Sequence, residues 1–242
     1  MTLIKVDTGG IGDLKVTTGK IAANGVTGAK FNADVISGQT ELAVAPANTD
    51  EFLVSDGGVI KRIDYSLIKG AHTLLGTTTV SSAAADVTFT NSTFTGFDMY
   101  FFDVLNMQPS TDNQRPTLQV AGADGTIDTG AIYKFASKGF SSTTSDLDTG
   151  DNSANQYRIL GDSTQVGSEA DEGCNFRMMM YNADSSSVFT QFFTMGASAG
   201  SDYVTTQIAS CLIFEATTTT KVQFTFDSGN IAAGTFKVYG VT

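Results

Sequence analysis

Surface chemistry needs a nucleophile beside a base, two carboxylates across a cleft, or soft and imidazole ligands around a metal. The chain is thin in all three, with one histidine, two cysteines and no tryptophan. His72 would make a catalytic triad only if a serine and an aspartate converged on it, and a lone imidazole lacks the neighbours that activate a nucleophile. With a Gly-x-Ser-x-Gly nucleophile elbow also taken to be absent, it is read as structural or solvent-exposed. The densest carboxylates are Asp146-Leu-Asp148 and Glu169-Ala-Asp171-Glu172. Glycoside hydrolysis would need such a pair facing each other in a cleft, and these lie in Ser- and Thr-rich stretches without tryptophan platforms. A calcium loop would show the Asp-x-[Asp/Asn]-x-[Asp/Asn]-Gly run, which does not occur. Met178-Met179-Met180 has soft sulfur, but unbranched thioethers also fill irregular core gaps, and that is the reading taken. Cys174 and Cys211 are isolated in apolar settings and are expected as buried free thiols. No catalytic, cofactor or metal residue is assigned, and no enzyme activity is expected.

Composition narrows the field further. The 242 residues carry 14 basic and 25 acidic side chains, a net charge of −11. That balance argues against a nucleic-acid partner, whose phosphates need clustered Lys and Arg. No apolar run approaches a membrane-spanning length, and residues 1–20 lack the apolar core of a secretion leader. The chain is therefore expected to fold in a reducing cytoplasm without inserting into a membrane.

Three stretches differ in texture. Residues 1–45 are rich in Gly, Ala, Thr and Lys. Residues 46–71 read as a connector with one hairpin, and residues 72–242 as strand after strand. The first stretch has a period, with apolar residues at Val6, Ile11, Val16, Ile21, Val26, Phe31 and Ile36. Five-residue spacing winds around an α-helix, alternates faces in a strand and steps a third of a turn in a polyproline-like chain. None of these yields a stripe that one subunit could bury by itself. A solenoid would turn every anchor inward, but seven repeats make fewer than two coils. One anchor per five residues cannot offset the entropy of ordering the segment. The seven residues are therefore read as pegs of an extended anchoring and oligomerising arm, buried against other chains.

In the connector, Asp56-Gly57-Gly58 is a turn signal, because glycine accepts the positive φ of a primed turn. Phe52–Val54 and Val59–Ile63 are expected to pair across it. Residues 65–70 are expected to form a short helical turn ending at Gly70.

The body has strand chemistry, rich in Val, Thr, Phe, Tyr and Ile with Gly, Asn, Asp and Ser between. Strands are expected at 74–80, 86–91, 97–107, 116–121, 131–136, 155–161, 174–182, 187–195, 203–216, 220–227 and 234–241. Val222, Phe224 and Phe226 alternate with polar neighbours, as a strand with one buried face does. Residues 99–105 and 209–214 are apolar on both faces and are expected at the centre of a sheet or under a subunit contact. The fold class expected is all-β: a jelly-roll-like antiparallel β-sandwich head behind an extended N-terminal arm. The acidic loops between Phe140 and Glu172, on either side of the strand expected at 155–161, are expected as a solvated rim. The body holds 7 basic and 17 acidic residues and the first 71 hold 7 and 8, so the arm can pack while the body stays soluble and repulsive.

The pattern Val-Thr-x-x-Lys-Ile-Ala-x-Asn-Gly-Val-Thr-x-Ala-Lys-Phe at 16–31 resembles the repetitive N-terminal regions of tailed-phage fibres and related virion appendages. The stretch 50–65 resembles a connector of marine phage structural proteins, and 230–241 resembles the last strand of their β-sandwich heads. Together these cover about a third of the chain. The resemblance implies a homotrimer located in the virion, other virion proteins at the N-terminal arm, and a distal head meeting a host surface glycan or protein. It carries no catalytic residue or cofactor. Many fibres have far longer shafts, so a short tail fibre and a capsid-decorating or head-fibre protein both stand. A glycan depolymerase or a carbohydrate-binding module is the more distant alternative.

Overall fold

The computed structural model describes residues 34–44, 46–68, 70, 72–90, 94, 96–143, 146–161, 165–200 and 203–241. The chain divides into two units, Met1–Ile68 and Lys69–Thr242.

Among its described residues the first unit has a short helical turn, α1 (Asp34–Ser37), and a hairpin of β1 (Glu51–Asp56) and β2 (Val59–Asp64). Asp56 pairs with Val59, leaving Gly57 and Gly58 as a two-residue loop. Their φ values of +59° and +82° are both positive, the condition a type I′ turn imposes. Salt bridges Lys61–Asp56 and Arg62–Glu51 flank the turn and the open end. A 3-10 turn (Tyr65–Leu67) follows, and Tyr65 donates its N–H to Asp50 O at 2.7 Å. The hairpin matches the expectation for the connector, and the helical turn begins at the expected Tyr65 but ends at Leu67, with Ile68 as its cap, rather than at Gly70. One face of the ribbon leaves Leu53 and Ile60 exposed. Two strands alone cannot bury both faces.

Among its described residues the second unit is an antiparallel β-sandwich of twelve strands. They are β3 (His72–Val80), β4 (Val87–Thr90), β5 (Met99–Pro109), β6 (Pro116–Ala121), β7 (Tyr133–Ser141) and β8 (Leu147–Ala154), then β9 (Tyr157–Arg158), β10 (Gly173–Tyr181), β11 (Gln191–Gly200), β12 (Tyr203–Ile213), β13 (Lys221–Phe226) and β14 (Ile231–Val241). One sheet has eight strands in the order β3-β14-β5-β10-β11-β12-β7-β8, and the other has four in the order β4-β13-β6-β9. The pairing is nested: β3 with β14, β4 with β13, β5 with β10 and β6 with β9. Two hairpins, β7–β8 and β11–β12, are inserted into this nest and pair with each other through β7 and β12. They double the width of the larger sheet.

Alternation makes the core. The inward residues Val222, Phe224 and Phe226 of β13 are buried while Lys221, Gln223 and Thr225 are not. Phe224 is fully buried and meets Phe102, Phe236, Phe176 and Phe89, with ring centroids at 5.5, 5.6, 6.1 and 6.4 Å. Phe102, Phe176 and Phe236 belong to the larger sheet, so this cluster joins the two. The two stretches apolar on both faces lie in β5 and β12, each flanked by strands on both sides.

Two expectations are corrected. The stretch before the strand expected at 155–161 is not simply solvated loop, since 147–154 form the edge strand β8. Its Asp, Asn, Ser and Gly content disguised it. Those residues suit an edge, where charge discourages further strand pairing, and Lys138 of β7 forms salt bridges with Asp146 and Asp148. Glu172 is also not on a solvated rim. It is 5% exposed, accepting the Glu169 N–H through Oε2 at 2.8 Å. Gly167 makes room for it, since a Cβ there would fall 2.0 Å from that carboxylate oxygen.

Candidate functional site

Of the seven arm residues, Val6, Ile11, Val16, Ile21, Val26 and Phe31 lie outside the described residues. Ile36 lies in α1 and is 84% exposed. Among the described residues the period's last peg thus presents its side chain to solvent.

The residues with chemical potential are dispersed. His72 stands exposed at the start of β3, its ring 5.9 Å from that of Phe101. Near it, Arg177 forms a bidentate ion pair with Asp103, at 2.8 and 3.1 Å, while its guanidinium lies 4.4 Å from the centre of the Phe101 ring. That ion pair raises the Arg177 pKa further. These groups and Tyr239 line a depression of about 140 Å³. It holds no serine or thiol that the imidazole could activate.

The expectation, made in reading His72, that no Gly-x-Ser-x-Gly run occurs is corrected: Gly196-Ala197-Ser198-Ala199-Gly200 is one. It has the Gly-x-Ser-x-Gly spacing of a nucleophile elbow, which requires a sharp strand-to-helix turn. Here the five residues lie within strand β11. Ser198 is buried with its hydroxyl against that of Thr205 at 2.7 Å. Ser198 is on the inward face and His72 at an outward position, so the two do not form a catalytic pair. Gly196 serves packing, since a Cβ there would lie 2.5 Å from the Phe176 side chain.

The methionines divide by strand alternation. Met178 and Met180 are fully buried and Met179 faces outward, half-buried. Cys174 and Cys211 are both buried and free. The Cys174 thiol donates to Met107 O at 3.3 Å, and burial pushes both thiols well above the usual range. Tyrosine hydroxyls are similarly structural. Tyr157 donates to Thr194 Oγ1 at 3.0 Å, and Tyr133 donates to Asp128 O at 2.8 Å while accepting the Val120 N–H at 3.0 Å. Burial raises the pKa of both phenols.

Asp124, Asp128 and Glu215 share a depression of about 470 Å³. Burial, then the Asp128 charge and a hydrogen bond with Asp128, then the Asp124 charge raise the Glu215 carboxyl above its ordinary range. Asp128 Oδ1 is committed to the Gly130 N–H at 2.6 Å and Asp124 Oδ1 to the Thr126 N–H at 3.0 Å. Among the described residues no group of three His, Cys, Asp or Glu is placed to hold a metal ion. Among them, too, no helix is long and apolar enough to cross a membrane.

One further arrangement is a surface. The outward face of the eight-stranded sheet carries one continuous cross-strand row: Leu74, Tyr239, Phe101, Met179 and Phe193, then Ser210, Ala136 and Gly150. Its first five members are large and its last three small. The small ones floor a trough of about 640 Å³, with Lys134, Gln191 and Leu212 along it. Comparison of the chain with family models, curated proteins and solved structures finds no match.

Proposed function

We propose that the chain is a non-enzymatic structural protein of a phage virion, a short trimeric tail fibre anchored by its N-terminal arm. Its head meets the host surface through polar loops. The observation that carries this reading is a contrast between two parts of the sequence. The body buries its own aromatic core, whereas the seven apolar residues at five-residue spacing in 1–45 have no self-sufficient way to be buried. Partner chains, both further copies and other virion proteins, provide that cover. The exposed Leu53 and Ile60 on the connector hairpin support the same need.

The head is read as a jelly roll. Numbered in chain order, the eight nested strands run 1-8-3-6 in one sheet and 2-7-4-5 in the other, the order that arises when one long antiparallel ribbon is rolled up into two Greek keys. The hairpins β7–β8 and β11–β12 are then additions to that roll. No catalytic residue, cofactor or metal enters this reading. Binding at the host surface would come from weak loop contacts multiplied by three copies.

A chain lacking residues 1–40 tests the proposal. It is expected to fold, because the sandwich core lies wholly beyond the deletion, and to be absent from assembled particles. Its incorporation at the full-length level would refute the anchoring role. A capsid-decorating role has the same physics at another address, and a labelled chain imaged on particles distinguishes the two by position and copy number.

A further inference from the structure

The outward face of the eight-stranded sheet differs from the rest of the body in three ways. Its composition is that of an interface centre, where aromatic residues, Met and Arg are enriched. Tyr239, Phe101, Met179 and Phe193 stand side by side, with Arg177 stacked on Phe101, while Met195 and Ile208 are 44% and 50% exposed in the next row. Its charge is balanced where the body's is strongly acidic. On and beside this face Lys134, Lys138, Arg177 and Lys237 balance Asp103, Asp146, Asp148 and Asp151, on a body with 7 basic and 17 acidic residues. This is where two strongly acidic copies can meet without repulsion. Its area is also sufficient. Eight strands at about 4.8 Å spacing and about 30 Å in length span roughly 1,100 Å², so two half-faces laid together bury roughly 1,100 Å² in total, just above the roughly 1,000 Å² that a specific interface needs.

The relief of the row indicates how copies would meet. From β3 to β11 it is a ridge, and across β12, β7 and β8 it is a trough. Three sheets facing a common axis bring the left half of each against the right half of the next, a heterologous contact that closes into a ring. We infer that the outward face of the eight-stranded sheet is the subunit interface of the trimer, with the ridge Tyr239–Phe101–Met179 of one copy seated in the trough Ser210–Ala136–Gly150 of the next. The inserted hairpins have a role in this arrangement, since they build the trough. The inference rests on the trimeric reading above and adds the surface that makes it.

The test uses the full chain with Tyr239→Cys and Ala136→Cys together, each alone, and a second pair, Leu105→Cys with Phe140→Cys. Leu105 and Phe140 are 46% and 62% exposed, so the second pair leaves the core intact if the first disturbs folding. The native thiols are buried and stay silent. After mild oxidation, the paired variants are expected to run at two and three chain masses on a non-reducing gel, and each single variant at one. If light scattering shows a trimer but neither pair cross-links, this interface is wrong and the trimer stands. If Tyr239→Cys alone cross-links, ridge meets ridge and the ridge-to-trough contact is wrong. If the unmodified full chain is monomeric, both readings fall.

Discussion

Truncating Phe224 to alanine removes the ring on which the two sheets close. Phe224 is fully buried and its four aromatic neighbours lie at 5.5–6.4 Å, two of them edge-on and two tilted. Buried Phe→Ala changes cost about 3–5 kcal/mol, from lost transfer energy and the cavity left behind. Aromatic pairs add about 0.5–1.5 kcal/mol beyond burial, so the upper part of that range, about 4–5 kcal/mol, is expected. Domains are stable by about 5–15 kcal/mol, so the variant should remain folded but much weakened. For a body of this size each kcal/mol moves Tm by about 2–4 °C, giving a drop of roughly 8–20 °C. Val188→Ala, at a loop residue 49% exposed, is the control and should change stability by less than about 0.5 kcal/mol. Thermal and denaturant melts must be run at one protomer concentration, because assembly makes Tm depend on concentration. A loss below about 1 kcal/mol for Phe224→Ala would mean that the sheets are not joined through this ring.

Three further outcomes follow from particular contacts. The folded state favours neutral Glu215, so its contribution is fully present below the unfolded pKa of about 4.3 and is lost as pH rises through the raised folded value. Glu215→Gln should therefore raise Tm at pH 7, with the gain vanishing near pH 4; an equal gain at both pH values would contradict the assignment. Gly161 has φ of +76°, and a Cβ there would lie 2.3 Å from Ser137 Oγ and 2.7 Å from Thr149 Oγ1. Gly161→Ala should cost at least the roughly 1–2 kcal/mol of left-handed backbone strain, read by a denaturant melt, and a neutral result would show that the segment after β9 does not pack on the inward face. A thiol reagent should label neither Cys174 nor Cys211 in the native protein and both in guanidinium, whereas rapid native labelling would contradict their burial.

Most strands were legible because their alternation leaves a period of two in the sequence. Residues 116–121 match β6 to the residue, and Val222, Phe224 and Phe226 point inward as expected. Strand β8 was not legible. An edge strand that buries little needs no apolar face, so Leu147-Asp-Thr-Gly-Asp-Asn-Ser-Ala154 carries loop composition while pairing with β7. Glu172 failed for the opposite reason, because nothing local in the sequence reveals that Gly167 opens a space for its carboxylate. The Gly-x-Ser-x-Gly match at 196–200 could be found by spacing alone, and only its placement within β11 removes its chemical meaning. The outward row of the larger sheet was invisible for a topological reason. It draws one residue from each of eight strands, in an order set by two inserted hairpins that no short window of sequence contains.

The central claim is that this chain works as an assembled structural part. Sedimentation equilibrium of the purified full-length chain tests it most directly. The account predicts a species of about three times the 25.4 kDa chain mass, still present on dilution. A single 25.4 kDa species at micromolar concentration would contradict it.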